Sequence, residues 1–481
     1  MEDLLKRAYD ATDFRNSGHR IIDLLAGQLG QSHEIEGCDA INHKSPERQL
    51  DYWKDDFNKP FIESPDTLFK NVINNSVNLH NPGYLAHQVS VPLPLTVLTA
   101  AVMSYMNNGM AVYEMGMAGN AIEKIVISHL TSKFGLGDDA SGIVTSGGTL
   151  GNLTALLAAR ASVSNVWEDG ANDSEKLAIM VSAEAHFSID RAARIMGLGK
   201  NGIIKVPVNE KFQMRTEALE ICYQNAVAAG LKIFCIIGCS CSTSTGAFDD
   251  LQAIADFAQQ HQIWFHIDGA HGAPAIFSDK HKHLLNGADN ADSIVLDFHK
   301  MMMAPSLSTA VLFKHQRHSA HTFSQEALYL YQDEQEYEWF NSGKYTFECT
   351  KPATILHTYA IMRHYGDELY RQNIDCLFGL AREFASLVKN RDGFELASEP
   401  QANIVCFRYR CGELTTAINK QVLQQLIAEG KFYIVSTSVK GQFYLRTSIM
   451  NPFTTIENLQ LLLDKIKELA CSLHLNPQLQ H

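Results

Sequence analysis

No run of Lys and Arg long enough to track a phosphate backbone occurs in this chain, and its 40 basic against 53 acidic side chains leave a formal net charge of −13. That balance excludes a general nucleic-acid binder, which needs clustered positive charge. Charged residues are sparse at 19% against 46% hydrophobic residues, a composition that excludes a disordered, collagen-like or coiled-coil chain and leaves a compact one with a large core. There is no internal repeat and no low-complexity segment. The opening MEDLLKRAYD contains acidic residues and no apolar stretch leading to a small-residue cleavage site, so no secretory signal is read there and the expected location is the cytoplasm. Ten cysteines are dispersed along the chain, many inside apolar runs such as the one around Cys235. That is the pattern of buried thiols in a reducing compartment, not of a disulfide framework. One uncharged stretch, 89–106, has the length of a membrane span, but Ser90, Pro92, Pro94, Thr96 and Thr99 dilute it. A buried helix, at a subunit interface, is the expectation instead.

What is present is organised in three parts. Residues 1–75 read as a polar, helical arm, with Leu4, Leu5, Tyr9, Ile21, Ile22, Leu24 and Leu25 spaced for amphipathic faces. Residues 76–350 form the large part. Between about 140 and 314, short β-branched runs at 142–146, 177–183, 203–208, 233–238, 263–268, 294–298 and 309–313 alternate with helical patterns such as 250–262. That alternation predicts an α/β fold with a mostly parallel central sheet covered on both faces. Residues 351–481 change character: a long helix from Pro352, strands at 404–409, 433–439 and 442–448, and a final helix over 455–473 opened by a Thr454/Glu457 capping box predict a smaller α+β domain.

Three motifs sit where strands end. Thr145-Ser-Gly-Gly-Thr149 joins a strand to a helix; its small residues let backbone N–H groups approach a phosphate at the helix N-terminus, although a plain turn has the same composition. Walker A spacing and the G-x-G-x-x-G fingerprint are both absent. His266-Ile-Asp268-Gly-Ala270-His-Gly272 follows an apolar strand, which puts Asp268 at the edge where open α/β sheets bind ligands. An anion there can hold a protonated pyridinium nitrogen, or simply cap a turn. Its histidines lack H-E-x-x-H spacing and a completing Cys pair, so no metal is expected. Asp297-Phe-His299-Lys300 ends another apolar run, and Met301–Met303 follows. A lone Lys is usually solvated, but an apolar setting favours the neutral amine that Schiff-base chemistry needs. A phosphate turn, an Asp at one strand end and a Lys at another are the three anchors of pyridoxal 5'-phosphate.

With these residues in place, the chain resembles the group II pyridoxal-phosphate-dependent amino-acid decarboxylases from about Asn81 to Leu473. The most specific stretches are Thr145–Asn152, Ala185-His186, His266–Gly272 and Ala291–Lys300. The resemblance implies an aspartate aminotransferase-like fold (fold type I), pyridoxal 5'-phosphate as cofactor, and a homodimer. It implies that Lys300 carries the cofactor, Asp268 pairs with the ring nitrogen, His186 stacks on the ring and Ala270 packs against its other face. Gly148 and Thr149, with His299 and Ser293, would hold the phosphate, and Thr243 would stand near the cofactor. Tyr337, in the segment 327–337, corresponds to the family's loop tyrosine that returns a proton after carbon dioxide leaves. Arg446 corresponds to the arginine that grips the substrate carboxylate, and Tyr84, His87 and Gln88 are candidate pocket residues. Where the glutamate branch has His-Pro-Arg, this chain has Asn81-Pro82-Gly83, and Thr350-Lys351, Thr354 and His357 also depart from that branch. The expected activity is decarboxylation of a small acidic or diamino L-amino acid. An aromatic substrate, an aldehyde synthase or aminotransferase on the same fold, and a purely binding role are the alternatives.

Overall fold

The computed structural model describes residues 3–60, 64–170, 175–320, 322–323 and 338–474. They divide into two compact units, one of residues 1–87, 382–397 and 405–481, the other of residues 88–381 and 398–404. The second unit carries the predicted α/β sheet. Its seven strands are β1 (Ser141–Thr145), β2 (Lys176–Ser182), β3 (Ile203–Val206), β4 (Leu231–Cys239), β5 (Trp264–Asp268), β6 (Ser293–Asp297) and β7 (Thr309–Phe313), in the spatial order β1-β7-β6-β5-β4-β2-β3. β2 to β6 pair in parallel, whereas β7 runs antiparallel to both β1 and β6. β5, β6 and β7 are buried along their whole length, because helices cover both faces and leave no position for a polar, solvent-facing residue. Two antiparallel pairings in succession turn β1 in the same direction as β6. The carboxyl ends of β1, β4, β5 and β6 therefore share one edge of the sheet, where Thr145, Cys239, Asp268 and Asp297 stand.

The first unit holds the four-stranded sheet β10-β11-β9-β8, with β8 at Phe394–Leu396, β9 at Ile404–Tyr409, β10 at Val435–Val439 and β11 at Gln442–Ser448. Its last helix, Ile456–His474, buries Leu459, Leu462, Leu463, Ile466 and Leu469, one apolar stripe at helical spacing. The capping pair that opens it is displaced by one residue from expectation. Thr455 and Asn458 exchange backbone-to-side-chain hydrogen bonds at 2.9 and 3.3 Å, while the Thr454 hydroxyl donates to the Pro82 carbonyl.

The uncharged stretch 89–106 is helical over most of its length. It contains a 13-residue helix, Pro94–Met106, with Thr96 and Thr99 buried, but Val97, Leu98, Val102, Tyr105 and Met106 are exposed on the chain. Among the described residues no helix is long and apolar enough to cross a membrane. No disulfide joins any of the ten cysteines.

Candidate active site

The shared strand edge of the second unit encloses a cavity of about 350 Å³, within the range of small-molecule sites. Gly147, Gly148 and Thr149 line it from the end of β1, Cys241 and Thr243 from the segment after β4, Asp268 and Ala270 from β5, and Asp297, His299 and Lys300 from β6, with His186 beside them. A larger cleft of about 790 Å³ in the same unit, lined by Asp249, Asp250, Lys282 and Asn286 among others, shares none of these residues, so the chemistry selects the smaller one.

The glycine turn is built for close approach. Gly147 has φ +115°, a conformation that side chains disfavour, and Gly148 opens the 14-residue helix Gly148–Ala161. A Cβ on Gly148 would stand 3.0 Å from the Asp297 carboxylate. The open N–H groups of that first helical turn face the cavity with the positive end of the helix dipole, an arrangement suited to a phosphate ester.

Lys300 overturns one expectation while keeping its place. Its side chain retains 19% exposure, and Nζ lies 2.8 Å from Asp297 Oδ2. Burial pushes its pKa down, but the charge and hydrogen bond of Asp297, with Asp268 and Cys241 beyond, outweigh that and the net direction is up. That direction is opposite to the one the apolar Met301–Met303 neighbourhood predicts, because the Asp297 carboxylate lies within hydrogen-bond reach of the amine. Burial pushes the Asp297 carboxyl up, but Lys300 and His299, with the hydroxyl of Thr309, bring it below its ordinary value. Thr309 Oγ1 donates to Asp297 Oδ1 at 2.5 Å, across the register that sets Asp297 opposite Thr309. His299 Nδ1 lies 2.9 Å from the Ser308 carbonyl.

Asp268 lies on the floor, 7% exposed. It accepts from Asn152 Nδ2 at 3.1 Å and from the Ala270 N–H at 3.3 Å. His186 caps the helix Phe187–Ile195, accepting from the Ser188 N–H. Burial lowers its pKa, opposed by Asp268 and assisted by Lys300. Burial pushes the Cys241 thiol up to about 12, which keeps it protonated and unreactive.

Ser293 stands apart. It is fully buried in β6, outside the cavity lining, and its hydroxyl is engaged by Trp264 Nε1 at 2.9 Å and His266 Nδ1 at 2.8 Å. Tyr337, with the segment 327–337, lies outside the described residues. The departures Lys351, Thr354 and His357 do not line the cavity either. Lys351 is buried, donating to Glu123 Oε1 at 2.6 Å and the Val144 carbonyl at 2.7 Å; Thr354 meets Ser308, and His357 meets Thr99.

The first unit gathers Arg446, Tyr84 and His87 by itself, whereas Gln88 belongs to the second unit. Arg446 on β11 is 8% exposed, with Nη2 3.4 Å from Ser448 Oγ. Its pKa is lowered by burial and raised in part by Cys406 and Tyr84. The Tyr84 hydroxyl, pushed up to about 12 by burial, accepts from the His87 N–H at 3.3 Å. His87 Nε2 lies 3.1 Å from the hydroxyl of Tyr433, a residue that sequence reasoning missed. Asn152 and Ser188 were missed as well. Asn152 had a usable signal, since four residues after Gly148 on a helix places it over the glycine turn.

The sheet and its strand-edge cavity define the class first: a fold type I protein that uses pyridoxal phosphate. Residues 94–410 match the pyridoxal-dependent decarboxylase conserved domain, and the chain belongs to that family of amino-acid carboxy-lyases. It is 28% identical over 470 residues to the aromatic-L-amino-acid decarboxylase of Bacillus atrophaeus, with 96% of each chain covered. It is 29% identical over 424 residues to the L-2,4-diaminobutyrate decarboxylase of Acinetobacter baumannii, covering 84% of this chain and 83% of that one. Among solved structures, the glutamate decarboxylase domain of the Vibrio parahaemolyticus diaminobutyrate-pyruvate transaminase and L-2,4-diaminobutyrate decarboxylase superposes with a TM-score of 0.84 at 26% identity. That match covers 95% of this chain and 96% of that chain.

Proposed function

We propose that this chain decarboxylates a small polar L-amino acid, acidic or diamino, with Lys300 carrying the pyridoxal phosphate. The observation that carries the reading is the convergence, in one cavity, of a half-buried lysine, a carboxylate at the next strand end and a glycine turn opening a helix. The donor set fits the cofactor. An amine can condense with its aldehyde, Asp268 can hold its ring nitrogen in the protonated form, and the N–H groups at Gly148 and Thr149, with His299, can receive its phosphate. When bound, pyridoxal phosphate supplies the electron sink that lets a carboxylate leave as carbon dioxide.

The chain's own groups have separate tasks. His186 and Ala270 border the space for the ring on its two faces, with Thr243 beside it. Asp297 stabilises the ammonium form of Lys300 and holds its Nζ at the cavity wall. Arg446 takes the substrate carboxylate as a bidentate partner, with Tyr84, His87 and Gln88 as pocket residues, and Tyr337 or His186 returns a proton to Cα. We assign the active protein as a cytoplasmic homodimer.

The polar substrate class draws on the named activities of two relatives, diaminobutyrate and glutamate decarboxylation, and on the polar cluster around Arg446. An aromatic substrate is the second reading, favoured by the relative that covers 96% of this chain. A panel of amino acids followed for carbon dioxide, ammonia and peroxide tests both. Carbon dioxide alone from glutamate, aspartate, cysteine sulfinate or diaminobutyrate is the expected result. Turnover confined to tyrosine, phenylalanine or tryptophan selects the second reading, and peroxide with ammonia identifies an aldehyde synthase.

A further inference from the structure

Beneath the cavity a chain of buried side chains runs from Trp264 to Ser188 and ends on the half-buried His186, and its donors and acceptors allow one direction. A carboxylate such as Asp268 only accepts. Asn152, 1% exposed, therefore turns its amide nitrogen to Asp268 Oδ2 at 3.1 Å, leaving its oxygen 3.0 Å from His266 Nε2. That oxygen cannot donate, so His266 carries its proton on Nε2. Burial holds the pKa of His266 near 4, so its Nδ1 is an acceptor, 2.8 Å from Ser293 Oγ. Ser293 donates to it and accepts from Trp264 Nε1 at 2.9 Å, an indole that can only donate. On the other side the second amide hydrogen of Asn152 goes to Ser188 Oγ at 3.0 Å. Ser188 Oγ is 2.8 Å from His186 Nδ1, and the Ser188 N–H points at the same nitrogen at 3.3 Å. Reversing Asn152 would set its oxygen against the Asp268 carboxylate and its amide hydrogens against the N–H of His266, two repulsive contacts with no solvent to relieve them.

We propose that Asn152 is a positioning residue with two outputs: it orients the Asp268 carboxylate beneath the cavity, and through Ser188 it fixes His186 with Nδ1 as acceptor and the proton on Nε2. The chain Trp264–Ser293–His266 is the anchor that keeps Asn152 from turning. This explains why Ser293 is spent away from the cavity, and it gives His186 a defined edge, the Nε2–H, as a donor. The inference rests on reading Asp268 and His186 as cofactor-facing groups.

The test uses protein saturated with pyridoxal phosphate and labelled with nitrogen-15 histidine, in which the ring nitrogens report the tautomer directly. In the wild type His186 and His266 should both be Nε2–H. Ser188→Ala removes the hydroxyl and keeps the backbone N–H, so it should shift the His186 Nδ1 resonance while the proton stays on Nε2, leave His266 unchanged and leave the pyridoxal phosphate dissociation constant within about twofold. Asn152→Ala should disturb both histidines and raise that constant by roughly tenfold or more, the loss of one hydrogen bond to a charged group. A wild-type proton on Nδ1 of either histidine overturns the proposal, and so does a Ser188→Ala protein whose His186 Nδ1 resonance is that of the wild type. If Asn152→Ala does not fold, the wild-type His266 tautomer and Ser188→Ala decide the matter. A wild-type protein that takes up no cofactor on Lys300 refutes the functional reading and leaves the tautomers readable.

Discussion

Lys300 is both the most legible residue and the one whose state the sequence misjudges. Its position after an apolar run marks it; the carboxylate three residues earlier, which the turn brings back to 2.8 Å, leaves no mark in composition. Lys300→Ala should leave no cofactor fixed to the chain after borohydride reduction, read by peptide mass, and should cut turnover roughly a thousandfold or more. Arg446→Ala should raise KM by roughly tenfold to a hundredfold, the cost of a lost charged pair, and an unchanged KM in steady-state assays would remove its carboxylate role. His266 gives a pH signature. Burial lowers its pKa to about 4, so between about 6.5 and 4 the unfolded chain binds a proton that the folded one refuses. The stabilisation from its neutral form is full above pH 6.5 and falls by roughly 3 kcal/mol toward pH 4. Denaturation across that range should show the loss in the wild type and a flatter profile in His266→Gln. Asn152 and Ser188 escaped a role because neutral groups carry no charge signal and their partners are remote, 116 residues apart for Asn152 and Asp268.

At the scale of elements, strand positions were readable because apolar β-branched runs are bounded by turn residues, and β11 falls on the expected 442–448. β8 was not, since three residues carry no periodicity. The capping pair slipped by one because Thr454 is recruited by the Pro82 carbonyl, an acceptor that local spacing cannot reveal. Thr455→Ala should therefore cost about 1 kcal/mol in urea denaturation, and Thr454→Ala should leave the helix start intact. The buried pair of Lys351 and Glu123 ties the end of β1 to the helix Tyr113–Lys133 just before the glycine turn. Lys351→Met strands the Glu123 charge and should cost about 3–5 kcal/mol. The double variant with Glu123→Leu should recover only part of that, because it removes the stranded charge but leaves the Val144 N–H and carbonyl without their partners.

For the whole molecule, the alternating pattern announced a parallel sheet, but periodicity says nothing of spatial order, and the antiparallel insertion of β7 between β1 and β6 came only with the structure. With no disulfide among its ten cysteines, the chain should titrate as ten thiols with Ellman's reagent in denaturant. Cys235, Cys239, Cys241 and Cys406, all buried, should stay silent in the native protein. The strand order has a further consequence. β1 is an edge strand whose single strand neighbour is β7, made from residues 309–313, so the turn at 145–149 gains its only sheet partner from a segment about 160 residues downstream. As the polypeptide leaves the ribosome, Asp268 and Lys300 emerge before that late strand does. Translation has to run past Phe313 before the growing protein can offer vitamin B6 a finished berth.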